Sequence, residues 1–153
     1  MGQRTSIAWT DKTFNPLWGC TKVSSACDHC YAEQWARRFG VQWGPRGEFR
    51  QFGDHHWNEP LRWDRAAQKA GKRAKVFCAS MADVFDNRWP EGVRDRLWAL
   101  IRATPMLDWQ LLTKRPQNIA KMLPPDWGSG WPNVWLGCTA ENQDEADRRL
   151  PHL

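Results

Sequence analysis

Cys20, Cys27 and Cys30 stand within eleven residues as Cys-x6-Cys-x2-Cys. Two intervening residues let the last pair of sulfurs reach one centre, the spacing of a metal or cluster chelate. A redox dithiol would use Cys27 and Cys30 and leave Cys20 without a task. Structural zinc asks for four protein ligands. His29 lies between two of the cysteines, a cramped position for a fourth. Cys78 and Cys138 fall inside apolar runs that read as strands, so they are expected in the core. Three ligands remain, which leaves an open coordination position. A four-iron cluster held by three cysteines keeps one iron free for a small molecule. Zinc and iron–sulfur both stay open on the residues alone.

Other polar groups collect in three short segments: Ser80-Met81-Ala82-Asp83, Thr113-Lys114-Arg115 and Thr139-Ala140-Glu141-Asn142. Each follows an apolar run of five or six residues, at 75–80, 109–113 and 133–138, which reads as a buried strand. A weaker strand candidate is 6–9. Helical periodicity is expected at 28–39, 58–70, 90–103, 116–123 and 143–150. Tyr31, Trp35 and Phe39 form one stripe of the first helix, with Ala32 and Ala36 beside it. Asp28 is its expected N-cap and Gly40 its stop. Leu61, Ala66 and Ala70 mark one side of the second helix, which falls inside an irregular insertion near 40–75. Alternating strands and helices predict an α/β chain with a parallel sheet covered by helices, in about four βα units. Functional groups of such sheets gather at the carboxyl ends of strands, where the cysteine loop and the three polar segments fall.

The chain has 153 residues, enough for one domain with a real core. Its 41% hydrophobic and 25% charged residues exclude collagen, coiled coil and general disorder. No stretch reaches the ~20 apolar residues of a membrane span. The N-terminal run lacks the apolar segment of a secretory signal, so a cytoplasmic location is expected. Five cysteines, an odd number, fit reduced thiols better than a disulfide framework. The formal charge is +5. Residues 41–75 hold eight Lys and Arg against four Asp and Glu, including Arg62, Arg65, Lys69, Lys72 and Arg73. This segment reads as a solvated face or as a surface for nucleic acid. The 12 Trp read mainly as packing, with stacking on a base or an adenine as the sharper alternative.

The run NPLWGCTKVSSACDHCYAE at 15–33 resembles the signature of a phage and bacterial three-Cys-motif family, described as radical-SAM-like and of undetermined substrate. FCASMADVFD, LLTKRPQNI and NVWLGCTAENQ resemble later segments of the same family. The family is similar, more distantly, to spore photoproduct lyase and other radical SAM enzymes. The resemblance implies a partial (βα) barrel of the radical SAM type. It implies Cys20, Cys27 and Cys30 as ligands of a [4Fe-4S] cluster, and S-adenosylmethionine as the molecule cleaved reductively to start radical chemistry. By position, Ser80 and Asp83 would face the methionine amino group. Lys114 or Arg115 would pair with its carboxylate or with a substrate phosphate, and Thr139, Glu141 and Asn142 with ribose hydroxyls. The spacing departs from the usual Cys-x3-Cys-x2-Cys, and His29 stands where an aromatic residue usually precedes the third cysteine.

Six βα units of ~30 residues would need about 180 residues. The chain is therefore expected to be truncated at its C-terminal end, with an open sheet edge that a protein partner would cover. Two other readings compete: a zinc-bearing module that binds nucleic acid through the basic segment, and a catalytically inactive phage protein that keeps the fold.

Overall fold

The computed structural model describes residues 5–153; Met1–Arg4, the start of the N-terminal run read above, lie outside the described residues. In chain order the elements are β1 (Lys12–Thr13), β2 (Leu17–Trp18), α1 (Tyr31–Arg38), β3 (Arg50–Gln51), α2 (Asp54–Trp57), α3 (Glu59–Ala70), β4 (Ala74–Cys78), α4 (Val93–Arg102), β5 (Leu107–Thr113), α5 (Ile119–Met122), β6 (Val134–Cys138) and α6 (Gln143–Arg149). Four strands make one parallel sheet in the order β1-β4-β5-β6. Val76 pairs with Trp109, and Trp109 with Val134. β2 and β3 form a separate antiparallel pair. The class is mixed α/β, and the four-stranded sheet is open rather than closed into a barrel. No helix among the described residues is long and apolar enough to cross a membrane.

One face of the sheet carries the core. Val76, Cys78, Trp109 and Leu111 are buried there with Leu97, Trp98 and Ile101 of α4. Trp109 is fully buried and donates its Nε1–H to Thr104 Oγ1 at 3.0 Å. Successive strand residues point to opposite faces. On the other face Leu112 and Trp135 are exposed.

Several boundaries differ from the sequence reading. Residues 6–9 form a bend and a turn rather than a strand, and the first strand lies at Lys12–Thr13. Phe14 decides this: it is fully buried, and its N–H donates to Phe77 O at 2.9 Å, docking the segment on β4. The first helix starts at Tyr31 with Cys30, not Asp28, at its N-cap. Its aromatic stripe faces outward. Ala32 and Ala36 are the buried residues, packed with Trp18 and Met81, because small side chains let the helix backbone approach closely. In α3 the buried positions are Pro60, Asp64 and Ala67; Leu61 is half-buried against the core, and Ala66 and Ala70 are exposed. Asp64 accepts the Met106 N–H at 2.7 Å and so ties α3 to the turn before β5. The 40–75 segment is therefore not irregular throughout; 54–70 is helical. Arg88 fastens the remaining loop by donating to Gly44 O and Gly47 O.

Candidate functional site

The cysteine loop begins where β2 ends. Gly19 has φ +140°, and a Cβ there would lie 2.6 Å from the Phe49 ring. Only glycine fits both the conformation and the space. Its N–H donates to Met81 O at 3.0 Å, which brings Cys20 beside the carboxyl end of β4. Ser25–Cys27 make a single 3-10 turn, and Cys30 caps α1. Cys20, Cys27 and Cys30 line one cavity of about 150 Å³. Ser80 and Asp83 line it from beyond β4, Lys114 and Arg115 from beyond β5, and Thr139 from beyond β6. The expected gathering of polar groups at the strand ends is thus met by these five. All five cysteines are free thiols. Cys78 is fully buried in the core, and burial pushes its thiol far up. Cys138 is half-buried in β6. Neither lines the cavity.

Arg115 holds the site together. Its buried guanidinium stands 3.1 Å from Asp83 and 3.3 Å from Asp86. It also donates to Thr21 O at 2.9 Å, to Thr21 Oγ1 at 2.7 Å and to Cys20 Sγ at 3.6 Å. Burial opposes its charge, but Asp83, Cys20 and Asp86 outweigh burial and hold its pKa above the ordinary arginine value. Burial likewise pushes the Cys20 thiol up, and the Arg115 guanidinium pulls against it. Asp83 accepts from Thr113 Oγ1, Phe85 N, Lys114 N and Arg115 Nη1, at 2.7, 3.0, 3.0 and 3.1 Å. A carboxylate offers about four lone-pair sites. Asp83 is therefore saturated by protein donors, and with Arg115 it ties the cysteine loop to the ends of β4 and β5.

Asn15 anchors Ser80. The Asn15 side chain donates to Ser80 Oγ at 3.1 Å and accepts Met81 N–H at 2.8 Å. Tyr31, just after the third cysteine, donates its hydroxyl to Ser80 O at 3.0 Å. Lys114 and Thr139 line the cavity as well.

Glu141 and Asn142 lie outside the cavity lining. Asn142 is the N-cap of α6 and accepts Glu145 N–H at 2.9 Å, a contact worth about 1 kcal/mol. Glu141 pairs with buried Arg149 at 2.7 Å. The Ser24 hydroxyl of the cysteine loop, and then Arg149, lower its carboxyl to about 2 from 4.5. A depressed folded pKa stabilises the fold above the unfolded value, and the effect is lost as pH falls through the folded one. The stability gap between the protein and its Glu141→Gln variant should therefore be full above about pH 4.5 and shrink toward pH 2. Urea unfolding across that range measures it. A gap independent of pH would remove Glu141 as the acid-sensitive tie.

Sequence reading passed over Asn15, Thr21, Ser24 and Asp86. The available signals were adjacency, since Thr21 follows Cys20, and spacing, since Asp86 lies three residues past Asp83. Among the described residues no three His, Cys, Asp or Glu side chains are grouped to hold a single metal ion. In a four-iron cluster each protein thiolate binds its own iron, so the sulfurs need not converge on one point. Three free thiols around one cavity, with a charged guanidinium beside Cys20, fit a group that carries thiolate and sulfide charge.

The family model described as "Protein of unknown function (DUF5131)" matches residues 4–153. No curated protein and no solved structure matches the chain.

Proposed function

We propose that this chain, which belongs to the DUF5131 family, is a radical-SAM-like iron–sulfur protein whose strands form part of a (βα) barrel. One observation carries the reading: Cys20, Cys27 and Cys30 share a cavity with Ser80, Lys114 and Thr139 at the carboxyl ends of parallel strands. The three cysteines would hold a [4Fe-4S] cluster. When bound, the cluster supplies the electron for reductive cleavage of S-adenosylmethionine, chemistry that belongs to the cofactors.

The chain's own residues bind and orient. Lys114 offers the ammonium for the methionine carboxylate or a substrate phosphate. The Ser80 and Thr139 hydroxyls are hydrogen-bonding groups at the rim. Arg115 keeps the Cys20 end of the loop fixed and supplies positive charge beside a thiolate. Asn15 fixes the Ser80 rotamer, and Glu141 pairs with Arg149 of α6. A cytoplasmic, reducing compartment suits such free thiols.

Anaerobic reconstitution with iron and sulfide tests this reading. The expected protein is brown and carries about four irons per chain. It shows an iron–sulfur electron paramagnetic resonance signal after reduction, and it releases 5′-deoxyadenosine from S-adenosylmethionine. Stoichiometric zinc without iron uptake would favour the zinc-bearing module instead. Iron uptake without 5′-deoxyadenosine would leave an inactive protein that keeps the fold.

A further inference from the structure

We propose that an open aromatic groove beside the cysteine cavity binds the unpaired bases of a single-stranded nucleic acid. The groove encloses about 650 Å³, inside the ~300–1,000 Å³ range of ligand sites. It shares Tyr31, Phe77, Ser80 and Leu112 with the cysteine cavity. The inference rests on the preceding reading only in making the bound base the substrate of that site.

Three rings along the groove are solvent-accessible: Trp9 at 48%, Tyr31 at 59% and Trp35 at 46%. Soluble proteins rarely leave large apolar side chains contiguous and exposed unless they meet a ligand. The same face continues past Trp9 and Leu112 to exposed Trp135. The charge on it has one sign. Lys12 lines the groove, which has no Asp or Glu among its described lining residues. The Arg38 guanidinium lies 5.6 Å from the Trp35 ring centroid, and Lys75 Nζ 5.8 Å from that of Trp135. Accessible rings interleaved with cations match a strand whose bases stack while its phosphates meet positive charge. The formal charge of +5 acts in the same direction. Asn15 and Ser80 add hydrogen-bonding groups where the groove meets the cavity. A base-paired duplex offers no free base face to these rings. The surface differs from the basic segment of α3 and the turn after it, where Arg62 already pairs with Glu59 and Arg73 with Asp108.

Fluorescence anisotropy of labelled single-stranded DNA and RNA oligonucleotides, with a duplex of the same sequence, tests the proposal. Trp9→Ala and Trp35→Ala should each weaken single-strand binding about tenfold or more. Trp35→Phe, which keeps a ring, should recover most of it. Circular dichroism should show all three variants folded, since Trp9 and Trp35 are half exposed. Neutralising Arg62, Arg65, Lys69, Lys72 and Arg73 together should weaken binding less than either alanine variant. The reverse ranking, equal affinity for the duplex, or no binding of either strand type overturns the proposal. Binding is measured on the protein both before and after iron loading. A chain that binds the strand but takes up no iron overturns the cluster reading alone. One that loads iron and ignores the strand overturns the groove alone.

Discussion

Replacing Arg115 with alanine should cost the fold about 3–5 kcal/mol, because it leaves two buried carboxylates without their cation. Asp83 and Asp86 are both buried, and Arg115 stands 3.1 and 3.3 Å from them. Domains are stable by only about 5–15 kcal/mol. For a chain of this length each kcal/mol shifts Tm by about 2–4 °C, so a fall on the order of 10 °C is expected. Arg115→Lys should recover part of this loss. A lysine keeps the charge but cannot reach both carboxylates and the Thr21 carbonyl with one planar fork. Urea and thermal unfolding of the two variants measure the effect. A loss below about 1 kcal/mol for Arg115→Ala would show that the pair adds little beyond its desolvation cost. The variant should also free the Thr21 carbonyl and the Cys20 sulfur from their shared donor. Iron retention should then drop even where the protein stays folded.

The second large effect concerns the cysteines. Serine at Cys20, Cys27 or Cys30 should reduce iron from about four per chain to a small fraction after anaerobic reconstitution. A hydroxyl is a far poorer ligand than a thiolate for iron–sulfur clusters. Cys78→Ala and Cys138→Ala should retain full iron, since neither residue lines the cavity. Metal analysis and the electron paramagnetic resonance signal read this directly, without turnover. Full iron in any of the three serine variants would remove that cysteine from the ligand set. Equal loss in the Cys138 variant would show that a different group of thiols holds the metal.

The long strands were legible because their runs are short, mainly apolar and followed at once by polar residues. The helix at 90–103 was legible for a similar reason: Val93, Leu97, Leu100 and Ile101 repeat at helical spacing, and three of the four are buried. The aromatic stripe of α1 shows where such reasoning stops. Tyr31, Trp35 and Phe39 have the right period for a core face, yet they are exposed. Periodicity identifies a face but does not say which partner it meets. A helix that must lie close to Trp18 and Met81 does so through Ala32 and Ala36. The first strand was misplaced for a related reason. Ser6–Trp9 looks more apolar than Lys12–Thr13, but the burial of Phe14 fixes which residues dock on β4.

The candidate site divides along the same line. The spacing of Cys20, Cys27 and Cys30 announces a chelating loop, and position after an apolar strand marks Ser80, Lys114 and Thr139, because both signals are local in the chain. Which polar groups face a ligand and which face one another is not local. Asp83 and Arg115 lie 32 residues apart, and Cys20 and Arg115 lie 95 apart. Only the parallel sheet, by setting the ends of β4 and β5 side by side, brings them into one buried network. The chain by itself determined the residue types of the site and the α/β order of its elements. The tertiary structure decided that Arg115, Asp83, Glu141 and Asn142 hold the scaffold, and that the aromatic rings of α1 face solvent. Burial and pairing are properties of neighbours in space, which no window along the sequence contains.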